Sequence, residues 1–281
     1  MTFAVTAVTG QLGRAIALEL IDKFGSEQVI GLARTTDKAH DLKIDVRHGD
    51  YDRRDQLETS LAGVEALVLV SGMAPPDERI GQHRNVIAAA RTAGVKKIVY
   101  TSVQGPEEKT KFSPIVQSSR QTEADIRNSG LDWAIGRNGI YIEPDVEYID
   151  KYRAMGEIAN SAGDGKCGYT TRSELAHAYL ALLTRPELNG KTVDLNGTPI
   201  TQSQLAEYLN AAFETKLVYR AMSPAEYVAN RTTELGPFIG PIIAGIYDGI
   251  RLGAYDSTGD YEAVTGRPHV GWDDYFSTLG I

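Results

Sequence analysis

The chain has one cysteine, Cys167, in 281 residues, so no intramolecular disulfide can form. That composition suits a reducing compartment and points to the cytoplasm. Histidine is also scarce: there are five, with no H-E-x-x-H arrangement, so no metal site is expected. The G-x-x-x-x-G-K-[ST] triphosphatase loop is missing too. None of the 14 tyrosines is followed four residues later by lysine. A Tyr-x-x-x-Lys pair, in which lysine lowers the phenol pKa, would let a protein pass a proton to or from a carbonyl; reversible alcohol–ketone chemistry by that route is not expected. Residues 159–163, A-N-S-A-G, only half resemble a nucleophile elbow and read as a plain turn. The longest mostly apolar stretch, Gly236 to Tyr247, is about 12 residues with two prolines, below the ~20 of a membrane-spanning helix. Met1 to Val8 lacks a basic leader region, so no signal peptide and no membrane partner are expected. A net charge of -8 argues against a nucleic-acid partner.

What is present begins at residue 4. The run A-V-T-A-V-T-G-Q-L-G-R sets a glycine turn between an apolar strand and an amphipathic helix. Small residues there allow a pyrophosphate to approach the backbone at Gly10 and the helix to pack closely at Gly13. The first position of this spacing is Ala7, which costs roughly 1 kcal/mol if the turn needs a positive φ.

Short β-branched runs recur at Phe3–Thr6, Val29–Ala33, Ala66–Val70, Lys97–Thr101 and Trp133–Arg137. Helical patterns separate them, among them Leu12, Ile16, Leu20 and Phe24 on one stripe and Arg79 to Thr92. Alternating strands and helices predict an α/β fold with a Rossmann-type, doubly wound parallel sheet. After Arg137 the alternation becomes irregular. Asn138-Gly139 opens a loop, Ala162–Lys166 is a turn cluster, and a helix runs from Thr171/Arg172 through Leu183. Val193–Leu195 and Leu217–Tyr219 read as short strands, and Thr201 caps a helix starting near Gln202. Residues 1–140 are therefore expected to form an NADP-binding core. Residues 141–281 are expected to form mostly a smaller, interleaved α/β portion over the substrate, with segments returning to the core.

The second strand decides the cofactor. An NAD site places an acid at its end to bind the ribose 2′-hydroxyl, but Arg34 stands there, with Lys38 one helical turn on. A guanidinium fork suits a 2′-phosphate, so NADP(H) is favoured over NAD(H). Other strand ends, Ser71-Gly72-Met73 and Thr101-Ser102, should face the cofactor, and Asp50-Tyr51 follows the third strand where it could border the adenine. His83 and His177 fall in helices and read as structural, and Cys167 as buried and inert.

Several motifs occur in order: T-G-Q-L-G at 9–13, G-D-Y at 49–51, H-R-N-V-I at 83–87, A-G-V-K-K-I-V-Y-T-S at 93–102, T-E at 122–123, R-N-G-I-Y at 137–141, A-G-D-G-K at 162–166 and T-R-S-E-L-A at 171–176. On these the chain resembles the NmrA-like group of atypical short-chain dehydrogenases, in its quinone-reductase and triphenylmethane-reductase branch. The resemblance implies NADP(H) bound at Ala7, Thr9, Gly10, Gln11, Leu12, Gly13, Arg34, Ser71–Met73, the loop Gly139, Ile140, Tyr141, Ile142, Glu143, and Arg172. Two positions depart from the pattern: Ala7 replaces a glycine, and Ser119 stands where relatives often carry histidine three residues before the T-E pair.

Without a strong protein acid, hydride transfer suits an acceptor that stabilises its own electrons, such as a quinone. The expected activity is an NADPH-dependent reductase of flat, electron-poor small molecules; the alternative is an NADP(H)-binding redox sensor without turnover. Asn138, Tyr141, Met73 and Phe238 or Ile239 are the substrate-pocket candidates, with Tyr141 able to stack on or hydrogen-bond a planar acceptor. Either a monomer or a homodimer is compatible with the sequence.

Overall fold

The computed structural model describes residues 1–280. Six strands, β1 (Phe3–Thr6), β2 (Val29–Ala33), β3 (Asp45–His48), β4 (Ala66–Leu69), β5 (Lys97–Val103) and β6 (Asp132–Asn138), join an edge strand Thr192–Leu195 in one sheet. The order is edge, β6, β5, β4, β1, β2, β3, and every pairing is parallel. Phe3 stands beside Val29 on one side and Ala66 on the other. β1, β2 and β4 are buried along their length, which is why they read as unbroken apolar runs.

Helix α1 (Gln11–Phe24) runs back along the sheet and buries Leu12, Ile16 and Leu20, while Phe24 stacks at a tilt on Phe3 with centroids 4.7 Å apart. Gly25, at φ +88°, ends it. Helices α2 (Arg54–Ser60), α3 (Pro76–Thr92) and α4 (Ser113–Arg127) follow the next strands. α4 carries no sequence expectation because its buried face is largely polar: Ser113, Ser118, Ser119, Thr122 and Glu123 are all buried there. An apolar period cannot reveal such a helix.

The second half adds α5 (Glu143–Glu147), α6 (Ile149–Met155), α7 (Arg172–Thr184), α8 (Gln202–Phe213) and α9 (Pro224–Arg251). α7 packs on α1, and Thr192–Leu195 completes the sheet beside β6, so this half supplies two elements to the first. A separate apolar cluster, including Ile158, Leu205, Leu209 and Trp272, lies under the rest. Thr171 and Thr201 cap α7 and α8 through their hydroxyls, the latter in a reciprocal box with Gln204. The strand expected at Leu217–Tyr219 is Val218–Ala221, paired with Glu157–Asn160. The Asn138-Gly139 loop is shorter than expected: Asn138 completes β6, and Ile140–Tyr141 pairs in parallel with Tyr169–Thr170. The apolar stretch after residue 235 is helical, and Gly236 at φ +82° breaks α9 into two rods. No described helix is long and apolar enough to cross a membrane.

Candidate functional site

Topology places the site. From β1 the chain proceeds to β2 and β3 on one side, then returns to lay β4, β5 and β6 on the other, so strand order reverses between β1 and β4. Open α/β sheets bind ligands beyond the strands' carboxyl ends at such a reversal. Thr6 of β1, Leu69 of β4 and Val103 of β5 end at this edge.

The turn after β1 is tightly wound. Ala7 takes a left-handed conformation, φ +51°, and its carbonyl receives the Gly10 N–H at 2.9 Å. A Cβ on Gly13 would strike that carbonyl oxygen and lie 2.9 Å from the Thr6 oxygen, so no side chain fits between α1 and the turn. Thr9, Gly10 and Gln11 are exposed and Leu12 is buried. α1 has no side-chain cap and no acid in its first turn, which leaves its N-terminal N–H groups and positive dipole end facing the crevice. Such a cradle fits the pyrophosphate of a dinucleotide.

At the end of β2, Arg34 is exposed, and Lys38 is exposed on the 3-10 helix Thr36–Leu42. Among the described residues neither forms an ion pair, so both charges are free for a phosphate. Arg14, in the first turn of α1, donates instead to both carboxylate oxygens of Asp41, at 3.2 Å for Nη1–Oδ1. Tyr51 faces inward: its hydroxyl sits between Thr6 Oγ1 and the Val70 carbonyl, 2.8 Å from the latter, and stitches β1 to β4. Burial raises its pKa. Asp50 accepts the Asp52 N–H at 3.1 Å, an ordinary turn contact.

The segment Ser71–Met73 is held from behind. Ser71 N–H donates to Thr101 Oγ1 at 2.8 Å, and Gly72 N–H donates to His83 Nε2 at 3.1 Å. Arg79 reaches the Gly72 carbonyl at 3.4 Å and donates to the Ile115 carbonyl at 2.7 Å and to Ser118. Burial and then the Arg79 charge push the His83 pKa down to about 3. Met73 itself is 85% exposed. His83 and Arg79 are thus the supports of this segment, although no spacing in the sequence marks them as such.

Beyond β6, three neutral side chains line up. Tyr179 donates to Asn138 Oδ1 at 2.6 Å, and Asn138 Nδ2 donates to Tyr141 Oη at 3.1 Å. Burial raises the Tyr141 pKa, keeping the phenol protonated. The Arg172 guanidinium lies 5.6 Å from the centre of the Tyr141 ring, and its backbone N–H donates to Glu143 Oε1 at 2.6 Å. A Cβ on Gly139 would strike the Gly168 carbonyl, which fixes the loop's path.

Not every candidate stands in the crevice. Ser102 turns its hydroxyl to Glu123 at 2.7 Å, and Ile142 is fully buried in the second core. Glu123 is itself fully buried and accepts hydrogen bonds from Arg120, Arg127 and Arg137. Burial alone would raise its pKa, but hydrogen bonds from Arg137 and Ser102 and the Arg120 charge hold it at about 2. Phe238 and Ile239 are 47% and 37% exposed just past the break in α9. Ser119, at the departure from the family pattern, donates to the Ile115 carbonyl at 3.0 Å inside the helix.

Residues 8–186 match the model of a family described as NAD(P)H-binding. Quinone oxidoreductase 2 of Escherichia coli is 33% identical over 230 residues, 80% of this chain and 79% of its own. The crystal structure of the NADPH-dependent quinone oxidoreductase 2 of Escherichia coli complexed with NADPH superposes with a TM-score of 0.90 at 29% identity, covering 99% of both chains. The triphenylmethane reductase of Citrobacter sp. complexed with NADP(H) gives 0.89 at 31% identity over 100% of both.

Proposed function

The chain belongs to the NAD(P)H-binding family, in its NmrA-like oxidoreductase group, and we propose that it passes hydride from NADPH to a quinone or similarly flat, electron-poor acceptor. Bound NADPH would supply the hydride and its electron pair. The turn at Ala7–Gly13 and the α1 N-terminus hold the pyrophosphate, Arg34 and Lys38 read the 2′-phosphate, and Ser71–Met73 with the Gly139–Glu143 loop and Arg172 flank the far end.

The observation that carries this reading is the neutral chemistry beyond β6. Asn138 and Tyr141 can orient an acceptor oxygen, and Tyr141 can donate a hydrogen bond to it, but no lysine stands four residues on to sharpen the phenol's acidity. Such a site favours acceptors whose reduced form is stable without early protonation. Rate then comes from holding acceptor and nicotinamide in register. Met73, just past the end of β4, supplies exposed apolar surface beside the crevice. The acceptor is a small molecule, the single buried cysteine suits the cytoplasm, and the chain acts as a monomer or homodimer.

Steady-state oxidation of NADPH with menadione and a panel of short-chain quinones tests the reading. Acceptor-dependent turnover is expected. Tight NADPH binding with no acceptor-dependent oxidation would overturn it in favour of a redox sensor.

A further inference from the structure

Resting on the NADP reading above, we infer that Arg14 is a third cation of the 2′-phosphate site and that Asp41 is an internal anion competing with the phosphate for it. The Arg14 fork is already engaged in the two-oxygen geometry that a guanidinium offers to phosphate, with both Asp41 oxygens as its partners. Asp41 and Lys38 lie three residues apart on the 3-10 helix Thr36–Leu42. Side chains at that spacing eclipse one another, so Lys38 and Asp41 share a face of this helix. Arg14 meets that same face from the first turn of α1, the turn that would hold the pyrophosphate. Arg34 ends the strand from which the helix springs. Arg14, Arg34 and Lys38 thus all lie on or beside this helix, with Asp41 the carboxylate paired to the first of them. Asp37 sits beside Lys38 in sequence but on another face, and it engages His40 through its carbonyl.

The Arg14 and Asp41 side chains are 36% and 50% exposed, so water screens the pair. Exposed ion pairs are weak, and a dianionic phosphate with three oxygens can displace a single carboxylate. A cofactor ending in a 2′-hydroxyl cannot. Asp41 then keeps Arg14 oriented and neutralised in the free protein and weakens the phosphate's hold when NADPH binds.

Isothermal titration of the full chain with NADPH, NADH, adenosine 2′,5′-bisphosphate and adenosine 5′-monophosphate decides the matter. Asp41→Asn should tighten the two 2′-phosphorylated ligands by about three- to tenfold, a gain of up to ~1.4 kcal/mol, and leave the other two unchanged. Arg14→Gln should weaken the phosphorylated pair alone. Unchanged binding in Asp41→Asn, or equal losses for all four ligands in either variant, would overturn the inference and make the pair a simple brace between α1 and the 3-10 helix. Arg34→Ala separates this from the parent reading: equal losses of NADPH and NADH there would remove the 2′-phosphate assignment itself.

Discussion

His83 Nε2 accepts the backbone N–H of Gly72, and this contact fixes the imidazole as the Nδ1–H tautomer, which donates to Thr122 Oγ1 at 3.0 Å. The Thr122 hydroxyl donates in turn to the Ser118 carbonyl at 3.1 Å, so the chain of donors runs in one direction. The ring must be neutral for this, and burial together with Arg79 keeps it so. Its folded pKa of about 3 lies below the usual 6.5, so the contribution to stability is complete above pH 6.5 and is lost as pH falls toward 3. His83→Ala deprives the half-buried Gly72 N–H of its acceptor and the buried Thr122 hydroxyl of its donor and should cost about 1–3 kcal/mol in urea unfolding at pH 7.5. Turnover should show no ionisation of this imidazole between pH 5 and 8; a rate that titrates there in the wild type and not in His83→Gln would contradict the assignment.

Ala7 holds a backbone conformation that favours glycine, at φ +51°. Ala7→Gly should raise stability by about 0.5–1 kcal/mol, the relief of the Cβ clash less the added freedom of the unfolded chain. Thermal unfolding of the two proteins measures it. NADPH affinity should rise or hold, and a less stable variant would show that the turn is not strained.

Tyr141→Phe removes the one hydroxyl that faces both Asn138 and the proposed acceptor position. With menadione, kcat should fall by up to about tenfold, equivalent to ~1.4 kcal/mol, while the KM for NADPH stays near its wild-type value. Asn138→Leu should instead lower stability, because Tyr179 and Tyr141 both lose a buried partner. A Tyr141→Phe enzyme with unchanged kcat and KM for every quinone would take the phenol out of the site.

Asp145 on α5 is the reverse electrostatic case to His83. It is buried, with Tyr152 donating at 2.7 Å and Tyr247 at 3.5 Å, and it forms no ion pair among the described residues. Burial raises its pKa to about 6, with the phenol hydrogen bonds offsetting only part of the effect. The folded carboxyl therefore holds its proton better than the unfolded one. Its contribution to stability is full below pH 3.8 and is lost as pH rises through 6. Asp145→Asn should flatten the stability profile between pH 4 and 6 and raise Tm at pH 7–8. Denaturation curves across that range would refute the assignment if the two proteins stayed parallel.

The sheet was legible in the sequence because its strands are buried on both faces: β1, β2 and β4 are apolar without interruption, and their glycine punctuation is local. The turn is legible from its glycine spacing, whereas the cost at Ala7 depends on a positive φ that only the structure supplies. The supports of Ser71–Met73 are not legible. Arg79 and His83 act on backbone groups through contacts that no local spacing marks, and a buried arginine or histidine has the same local pattern as an exposed one. Helix α4 is not legible because its inner face is mostly serine, threonine and glutamate, with only Val116 and Ile126 apolar. Tyr51 and Ser102 sit at the strand ends that spacing marks, yet their hydroxyls point into the fold, a matter of side-chain direction that position along the chain does not determine.

The knot at Glu123 also shapes which sequences can be reached from this one. One carboxylate answers to three arginines drawn from α4 and β6, and Arg127 extends the tie to Thr192 on the edge strand at 2.9 Å. Changing Glu123 alone leaves like charges crowded together, whereas changing one arginine leaves two to serve it. One arginine can therefore change while the acid stands, but losing all three would strand a buried carboxylate, so the acid and its last partners must be exchanged together. Double-mutant cycles between Glu123 and Arg137 should accordingly be strongly non-additive, with the order of substitution deciding which intermediates survive.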